Sequence, residues 1–177
     1  MSARNRSLLE LTTDDHLCQM VFNCVRETFD QMAQIPVKRG DLKVVDGNVK
    51  VTYDHDISGI VGVMQDSLEG TFSLSFKLDT IFHILSGVYR REITKIDDIS
   101  IDSVGELTNI VYGMLKQQLN EVGFQFKMCL PVVVVGPNHL VFSPMSSKKW
   151  SQEITCEYGT FWAELLFHNI DLSEKVA

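Results

Sequence analysis

A carboxylate and a carboxamide stand three residues apart in the segment VGELTNIVYG, which covers residues 104–113. The carboxylate of Glu106 can pair with an ammonium group, whereas the amide of Asn109 can donate a hydrogen bond to a water molecule and accept one from it. An amide cannot act as an effective base. Since a solvated Glu-x-x-Asn pair is common on helix surfaces, the spacing alone is a weak signal for a site.

The apolar rhythm of this segment predicts a long helix from about residue 99 to residue 122, closed by Gly123. At about 100° per residue, five apolar side chains form the buried stripe of this helix. They are Val104, Leu107, Val111, Leu115 and Val122. The opposite face carries Glu106, Asn109, Gly113 and Lys116, so these four residues are expected to face solvent or a partner.

Gly113 is the unusual member of this exposed face. A glycine inside a helix costs about 1 kcal/mol relative to alanine. Without a side chain, it leaves room for another molecule to approach the backbone closely. A tolerated glycine near the middle of a helix is also ordinary.

The remaining segments predict two further helices and two blocks of strands. Apolar spacing predicts a helix from Asp14 and Asp15 to Pro36 and a short one over 79–89. Alternating residues predict a three-stranded antiparallel meander over 48–54, 58–64 and 70–79. Strand structure is also expected in 124–136, 139–145 and 154–170, with a turn at Pro137-Asn138.

This order of elements predicts an α/β (α+β) layer structure, in which the apolar stripes of the long helices lie on one face of a sheet. The 177 residues suit a single domain, 1–177, and residues 1–12 and 171–177 are expected to be flexible termini.

Composition excludes several classes of function. The net charge of −7 argues against sequence-independent binding of nucleic acid, which requires a basic surface. The longest apolar run, LPVVVV at 130–135, is too short to cross a bilayer as a helix, and no signal-peptide core is apparent near the start. We therefore expect a cytoplasmic protein.

No metal or nucleotide site is predicted. The five histidines are scattered and lack metal-ligand spacing. The acidic segment YDHDIS at 53–58 lacks the pattern of a calcium loop and better fits a tight connection between strands. Cys24 lies on the apolar stripe of the first helix, so a buried, inert thiol is expected there rather than a reactive one.

The stretch DSVGELTNIVYGMLKQQLNEVGFQFKMCLP resembles the signature helix and following strand of the CheX/CheC/FliY group of chemotaxis phosphatases, which dephosphorylate the response regulator CheY. The matching residues are Asp102, Gly105, Glu106, Asn109, Gly113, Lys116, Leu119, Gly123, Leu130 and Pro131. The order of helices and strands is also similar. No glutamate in the first helix is followed three residues later by asparagine, so the chain, with one site only, resembles CheX rather than CheC.

The resemblance implies a mainly antiparallel CheC/CheX-like sheet with two long helices on one face, in a homodimer joined through the sheets. It implies that Glu106 forms a salt bridge with the lysine of the regulator's phosphorylation pocket and that Asn109 aligns the attacking water. Gly113 and Lys116 would contact the partner. The chain itself would bind no cofactor, because the regulator carries the Mg²⁺.

Two hypotheses follow for the function. The first is hydrolysis of the aspartyl phosphate of a CheY-type response regulator in chemotaxis or two-component signalling, which the intact Glu-x-x-Asn favours. The second is a non-catalytic adaptor of the same fold that sequesters a response regulator. Partner choice depends on surface residues that form no motif.

Overall fold

The computed structural model describes residues 14–46, 54–65, 68–139 and 147–169. Within these ranges the helices are α1 (Asp14–Ala33), α2 (Leu78–Tyr89) and α3 (Asp98–Glu121). The strands are β1 (Lys38–Asp46), β2 (Ile57–Gln65), β3 (Leu68–Phe76), β4 (Lys127–Met128), β5 (Val132–Val135), β6 (Ser147–Cys156) and β7 (Gly159–Asn169).

The strands of these ranges form one antiparallel sheet in the order β1-β6-β7-β3-β2-β4, and β5 also pairs with β2. The α+β fold class and the mainly antiparallel sheet are therefore confirmed. β4 and β5 follow one another along the same side of β2, because Met128 lies opposite Val63 and Val132 lies opposite Ile60.

The predicted three-stranded meander is confirmed for its second and third strands, because β2 and β3 form a hairpin. β1, over residues 38–46, was not predicted, and it pairs with β6 at the other side of the sheet. The predicted strand over 48–54 falls almost wholly outside the described residues. Three other strands separate β1 from β2, a distance of about 20 Å at the usual strand spacing. The ten residues 47–56 can span about 33 Å when extended, so local sequence does not reveal which strand β1 joins.

The predicted strand over 154–170 is a hairpin rather than one strand. β6 and β7 are joined by Glu157 and Tyr158, and Cys156 lies opposite Gly159. Gly159 has a φ of +134°, a conformation that favours glycine. The turn at Pro137-Asn138 is confirmed, because Asn138 has a φ of +52° and its N–H donates to the oxygen of His55. Residues 140–145 of the predicted strand 139–145 lie outside the described residues.

All three described helices pack on one face of the sheet. α3 lies over β2 and β3, α1 contacts β6 and β1, and α2 contacts β7. The apolar side chains of this face are fully buried, among them Ile57, Val61, Phe72, Phe76 and Phe161. The helices and this face of the sheet share one buried core, so the predicted packing of the helices on one face of the sheet is confirmed.

The predicted ends of the helices agree closely with the structure. α1 stops before Pro36, with Gln34 at a φ of +55°. Asp14 and Asp15 lie in the first turn of α1, where carboxylates interact favourably with the helix dipole. The predicted flexible termini, 1–12 and 171–177, lie outside the described residues. Within the part of the chain that the structure describes, no helix is long and apolar enough to cross a membrane.

Candidate functional site

α3 begins at a well-formed cap. The carboxylate of Asp97 accepts a hydrogen bond from the backbone N–H of Ser100 at 2.9 Å, and the Ser100 hydroxyl accepts one from the N–H of Asp97 at 2.8 Å. This reciprocal arrangement is a capping box. The bond from the Ser100 backbone lowers the pKa of the Asp97 carboxyl from its ordinary value. The cap fixes the start of the helix two turns before Glu106.

The buried stripe of α3 is confirmed except at its end. Val104, Leu107, Val111 and Leu115 are buried, but Val122 is 42% exposed. Val122 lies just beyond the last helical residue, Glu121, so its predicted place on the buried stripe is wrong. Gly123 closes the helix as predicted: it has a φ of +102°, and the N–H of Phe124 donates to the oxygen of Leu119.

The centre of α3 is seated directly on β2. A Cβ atom at Gly59 would lie 2.0 Å from Oγ1 of Thr108 and 2.9 Å from the backbone oxygen of Val104. Thr108 is fully buried, and its hydroxyl donates to that same oxygen at 2.7 Å. The missing side chain of Gly59 therefore sets the distance between helix and sheet beside Asn109. A glycine inside a strand signals such a close approach, so this feature of Gly59 could have been found from the sequence.

Glu106 and Asn109 project from the uncovered side of this seated helix. Glu106 is exposed and Asn109 is partly exposed. Residues at this spacing have Cβ atoms about 5 to 6 Å apart. Among the described residues, neither side chain has a hydrogen-bond or salt-bridge partner. Both polar groups are therefore available to another molecule, and they are close enough to contact it together.

Gly113 and Lys116 continue the same face towards the end of the helix. A Cβ atom at Gly113 would meet no described atom within 4 Å other than the adjacent backbone of α3 itself. An open concavity of about 410 Å³ lies here, lined by Gly113, Lys116, Gln117, Asn120 and Glu121. The predicted open space beside Gly113 is therefore present, and the four residues predicted for the site lie along one side of α3.

The apolar residues after α3 border this face. The Cβ position of Gly105 lies 3.4 Å from Cγ2 of Val133 and 4.0 Å from Cγ of Pro131. Asn109 follows Gly105 by one helical turn and so lies on the same flank. Leu130 and Pro131 belong to the family motif, but the sequence indicated no place for them at the site. The long separation in sequence hides their proximity to α3.

The other candidate groups have structural contacts. Asp54 and Asp56 of the acidic segment form ion pairs with Lys77, and Asp56 also accepts a hydrogen bond from the N–H of Leu78. Cys24 is fully buried, as predicted, and burial raises the pKa of its thiol to about 12. The described residues contain no group of three or more His, Cys, Asp or Glu side chains able to share a metal ion.

His55 and His139, which the sequence did not pair, lie in contact; His55 is buried and His139 is half-buried. The rings of His55 and His139 meet edge to face, with centroids 4.4 Å apart. Nε2 of His139 lies 2.8 Å from Oγ of Ser58, and that hydroxyl donates to Ser75 at 2.7 Å. Burial, followed by the charge of nearby His139, lowers the pKa of His55. The two histidines are far apart in sequence, so no spacing rule could pair them.

Comparisons with known proteins show the family and the fold of this chain. The family model described as "Chemotaxis phosphatase CheX" matches residues 57–155. The CheY-P phosphatase CheX of Thermotoga maritima is 24% identical over 124 residues, which cover 70% of this chain and 77% of that protein. The chain therefore belongs to the CheX family.

Solved structures show the same fold. A CheC-like superfamily protein from Shewanella sp. PV-4 is 27% identical, with a TM-score of 0.79, and the match covers 89% of this chain and 99% of that one. A second similar chain comes from the CheX–CheY–BeF₃–Mg²⁺ complex of Borrelia burgdorferi. It is 18% identical, with a TM-score of 0.67 and coverage of 86% and 97%.

Proposed function

We propose that this member of the CheX family hydrolyses the aspartyl phosphate of a CheY-type response regulator, with Glu106 and Asn109 as its catalytic pair. One observation carries the proposal. Two polar side chains one helical turn apart project from the uncovered side of α3, and neither has a partner among the described residues. The name of the Thermotoga relative, a CheY-P phosphatase, supports the same reaction.

Asn109 enters the regulator's phosphorylation pocket and orients the attacking water. Its amide oxygen accepts a hydrogen bond from the water, and its amide NH₂ can donate one. The water oxygen attacks phosphorus as the bond from phosphorus to the aspartyl oxygen breaks. The products are inorganic phosphate and the free aspartate of the regulator. Asn109 takes no proton, because its function is to hold the water in line with the breaking bond.

Glu106 holds the regulator in position through its carboxylate. It pairs with the lysine ammonium of the phosphorylation pocket, and its exposed position on α3 leaves it free to do so. An ion pair enclosed by two docked surfaces is stronger than the same pair in water, because the local dielectric constant is lower. The pairing also fixes how α3 lies across the pocket, and thereby where Asn109 enters.

These two residues suffice because the substrate is already activated. An aspartyl phosphate is a reactive mixed anhydride, and the regulator contributes its own Mg²⁺ to the phosphoryl group. A hundredfold acceleration requires a barrier lower by only about 2.7 kcal/mol, which one well-placed amide can supply. The neighbouring structure from Borrelia, a CheX–CheY complex containing Mg²⁺, supports a CheY-type partner.

Gly113 and Lys116 extend the contact with the regulator. The space over Gly113 lets the partner approach the helix backbone, since no described atom beyond the adjacent backbone of α3 lies within 4 Å of its Cβ position. Lys116 adds a cation on the same side of α3, where it can face acidic groups of the regulator. The chain acts as a homodimer joined through its sheets, and light scattering at micromolar concentration tests this directly.

The central experiment mixes the protein with phosphorylated candidate regulators and follows the loss of phosphate. Asn109→Ala should abolish the acceleration while leaving the Kd for the regulator within about threefold, because the water loses its positioning group. Glu106→Lys should weaken binding itself, because two like charges then meet in the pocket.

The two variants distinguish catalysis from simple sequestration. A wild-type protein that binds phosphorylated regulators but never shortens their lifetime would overturn the catalytic proposal. The chain would then act as an adaptor. Equal activity of wild type and Asn109→Ala would overturn the role of Asn109.

A further inference from the structure

The edge of the sheet beside α3 contains a bulge. β2 residues Val61 and Gly62 lie between the paired positions Ile60–Val132 and Val63–Met128. Three residues, 129–131, occupy the same interval on the outer side. The outer side thus has one residue more than β2 across this interval, as in a β-bulge, and residues 129–131 belong to no strand. Leu130 is the middle residue of this bulge.

The bulge and β5 expose an apolar surface. Leu130 is 88% exposed and Val135 is 43% exposed. Val132 is 61% exposed, but it lies opposite Ile60 and so faces the other side of the sheet from α3. We refer to Leu130 and Val135 as the apolar edge. The interval 128–135, MCLPVVVV, contains no charged residue, whereas exposed sheet edges usually carry charges that discourage association. In the part of the chain that the structure describes, β4 and β5 pair with no strand except β2.

The apolar edge adjoins the flank of α3 that carries Asn109. Pro131 and Val133, which lie within the same interval, are in contact distance of the Cβ position of Gly105. Asn109 stands one turn further along that flank, about 5 to 6 Å from Gly105 between Cβ positions. A molecule that encloses the side chain of Asn109 must therefore also pass close to the apolar edge.

We infer that the apolar edge is the second half of the docking surface for the regulator, and that it binds an apolar patch next to the phosphorylation pocket. The inference rests on the proposed function. Specific interfaces bury about 800 Å² on each partner and usually have an apolar centre. Glu106, Asn109 and Gly113 supply polar groups and open space but no apolar contact. Leu130 supplies the missing apolar anchor beside them.

The chemistry of the edge favours a regulator over a second copy of this chain. A second copy would extend the sheet by main-chain hydrogen bonds along this edge. Pro131 has no N–H to donate, and the bulge interrupts the regular ladder at the same point. The edge is therefore poorly suited to strand addition, but its exposed side chains remain free for contacts with another surface.

The test uses Leu130→Ala and Leu130→Asp, with Met32→Ala as the matched control. Met32 is an exposed apolar residue of α1 with 39% exposure. Burial of the leucine side chain stabilises the complex. Its loss in Leu130→Ala should therefore raise KM for the phosphorylated regulator about tenfold. Its kcat should stay within twofold. Leu130→Asp should raise KM further, and Met32→Ala should leave KM unchanged. Unfolding midpoints of both Leu130 variants should match wild type, because the residue is exposed.

A binding measurement separates this inference from the proposed function. In the Asn109→Ala background, calorimetric titration with a phosphorylated regulator should show the same loss of affinity for Leu130→Ala, whether or not the wild type hydrolyses phosphate. Unchanged Kd and KM for both Leu130 variants would overturn the inference and leave the proposed function intact. Loss of a dimer by Leu130→Asp, with an unchanged regulator Kd, would also overturn it and assign the edge to a second copy.

Discussion

The contact between Gly59 and α3 gives the sharpest test of how the fold positions the site. In Gly59→Ala the new methyl group would lie 2.0 Å from Oγ1 of Thr108, 2.8 Å from its Cβ and 2.9 Å from the backbone oxygen of Val104. Comfortable carbon contacts are about 3.5 to 4.0 Å. Rotation of Thr108 cannot relieve the contact with a backbone atom, so the helix must move outward. Overpacking of this kind costs about 1 to 3 kcal/mol, and we expect the upper end.

Activity should fall more than stability in this variant. A displacement of about 1 Å at a catalytic group can cost a hundredfold in rate. Asn109 follows Thr108 directly in α3, so the outward shift displaces its amide. Urea unfolding measures the first effect, and regulator dephosphorylation below the unfolding transition measures the second.

A double-mutant cycle identifies the contact responsible. Thr108→Ala removes the 2.0 Å contact but leaves those at 2.8 and 2.9 Å, so it should restore part of the lost stability in Gly59→Ala. If Gly59→Ala unfolds within about 0.5 kcal/mol of wild type and keeps full activity, the proposed seating of α3 on β2 is wrong.

Three further predictions concern separate residues. Gly113→Ala should raise the unfolding free energy by up to about 1 kcal/mol through helix propensity, yet raise KM for the regulator; an unchanged KM would contradict close approach at Gly113. Because burial and then His139 lower the pKa of His55, stability should fall as pH drops below about 6.5, the ordinary histidine value. His55→Leu should flatten this dependence in urea titrations, and an unaltered slope would contradict it. The hydroxyl of Tyr112 is buried without a hydrogen-bond partner among the described residues, and its ring stacks on Phe72. Tyr112→Phe should therefore be more stable by about 1 kcal/mol in the same assay, whereas destabilisation would indicate an overlooked partner.

The helices could be predicted because they are determined by the spacing of apolar residues that are close together in the sequence. The spacing of Val104, Leu107, Val111 and Leu115 defines one face of α3 wherever the helix packs. The same periodicity placed Glu106 and Asn109 on the uncovered side. The prediction that Val122 is buried was wrong because the helical spacing was extended past Glu121, where the helix ends.

Strand partners could not be predicted in the same way, since pairing depends on contacts distant in sequence. Nothing near β1 indicates that it joins β6, because the choice depends on how the whole sheet closes. The contact between Gly59 and Thr108 and the approach of Pro131 and Val133 to Gly105 have the same origin. These features are distant in sequence and meet only when α3 lies over β2 and β5. The family motif predicted Glu106 and Asn109 as the site, and the structure shows the sheet beneath α3 and the exposed apolar residues that follow it.

The proposed role of Asn109 is tested by the lifetime of a phosphorylated CheY-type regulator, measured with wild-type protein and with Asn109→Ala. We expect a lifetime at least about tenfold shorter with wild type, corresponding to about 1.4 kcal/mol of barrier, and no shortening with Asn109→Ala despite preserved binding. Equal lifetimes with the two proteins, under conditions in which both bind the regulator, would contradict it.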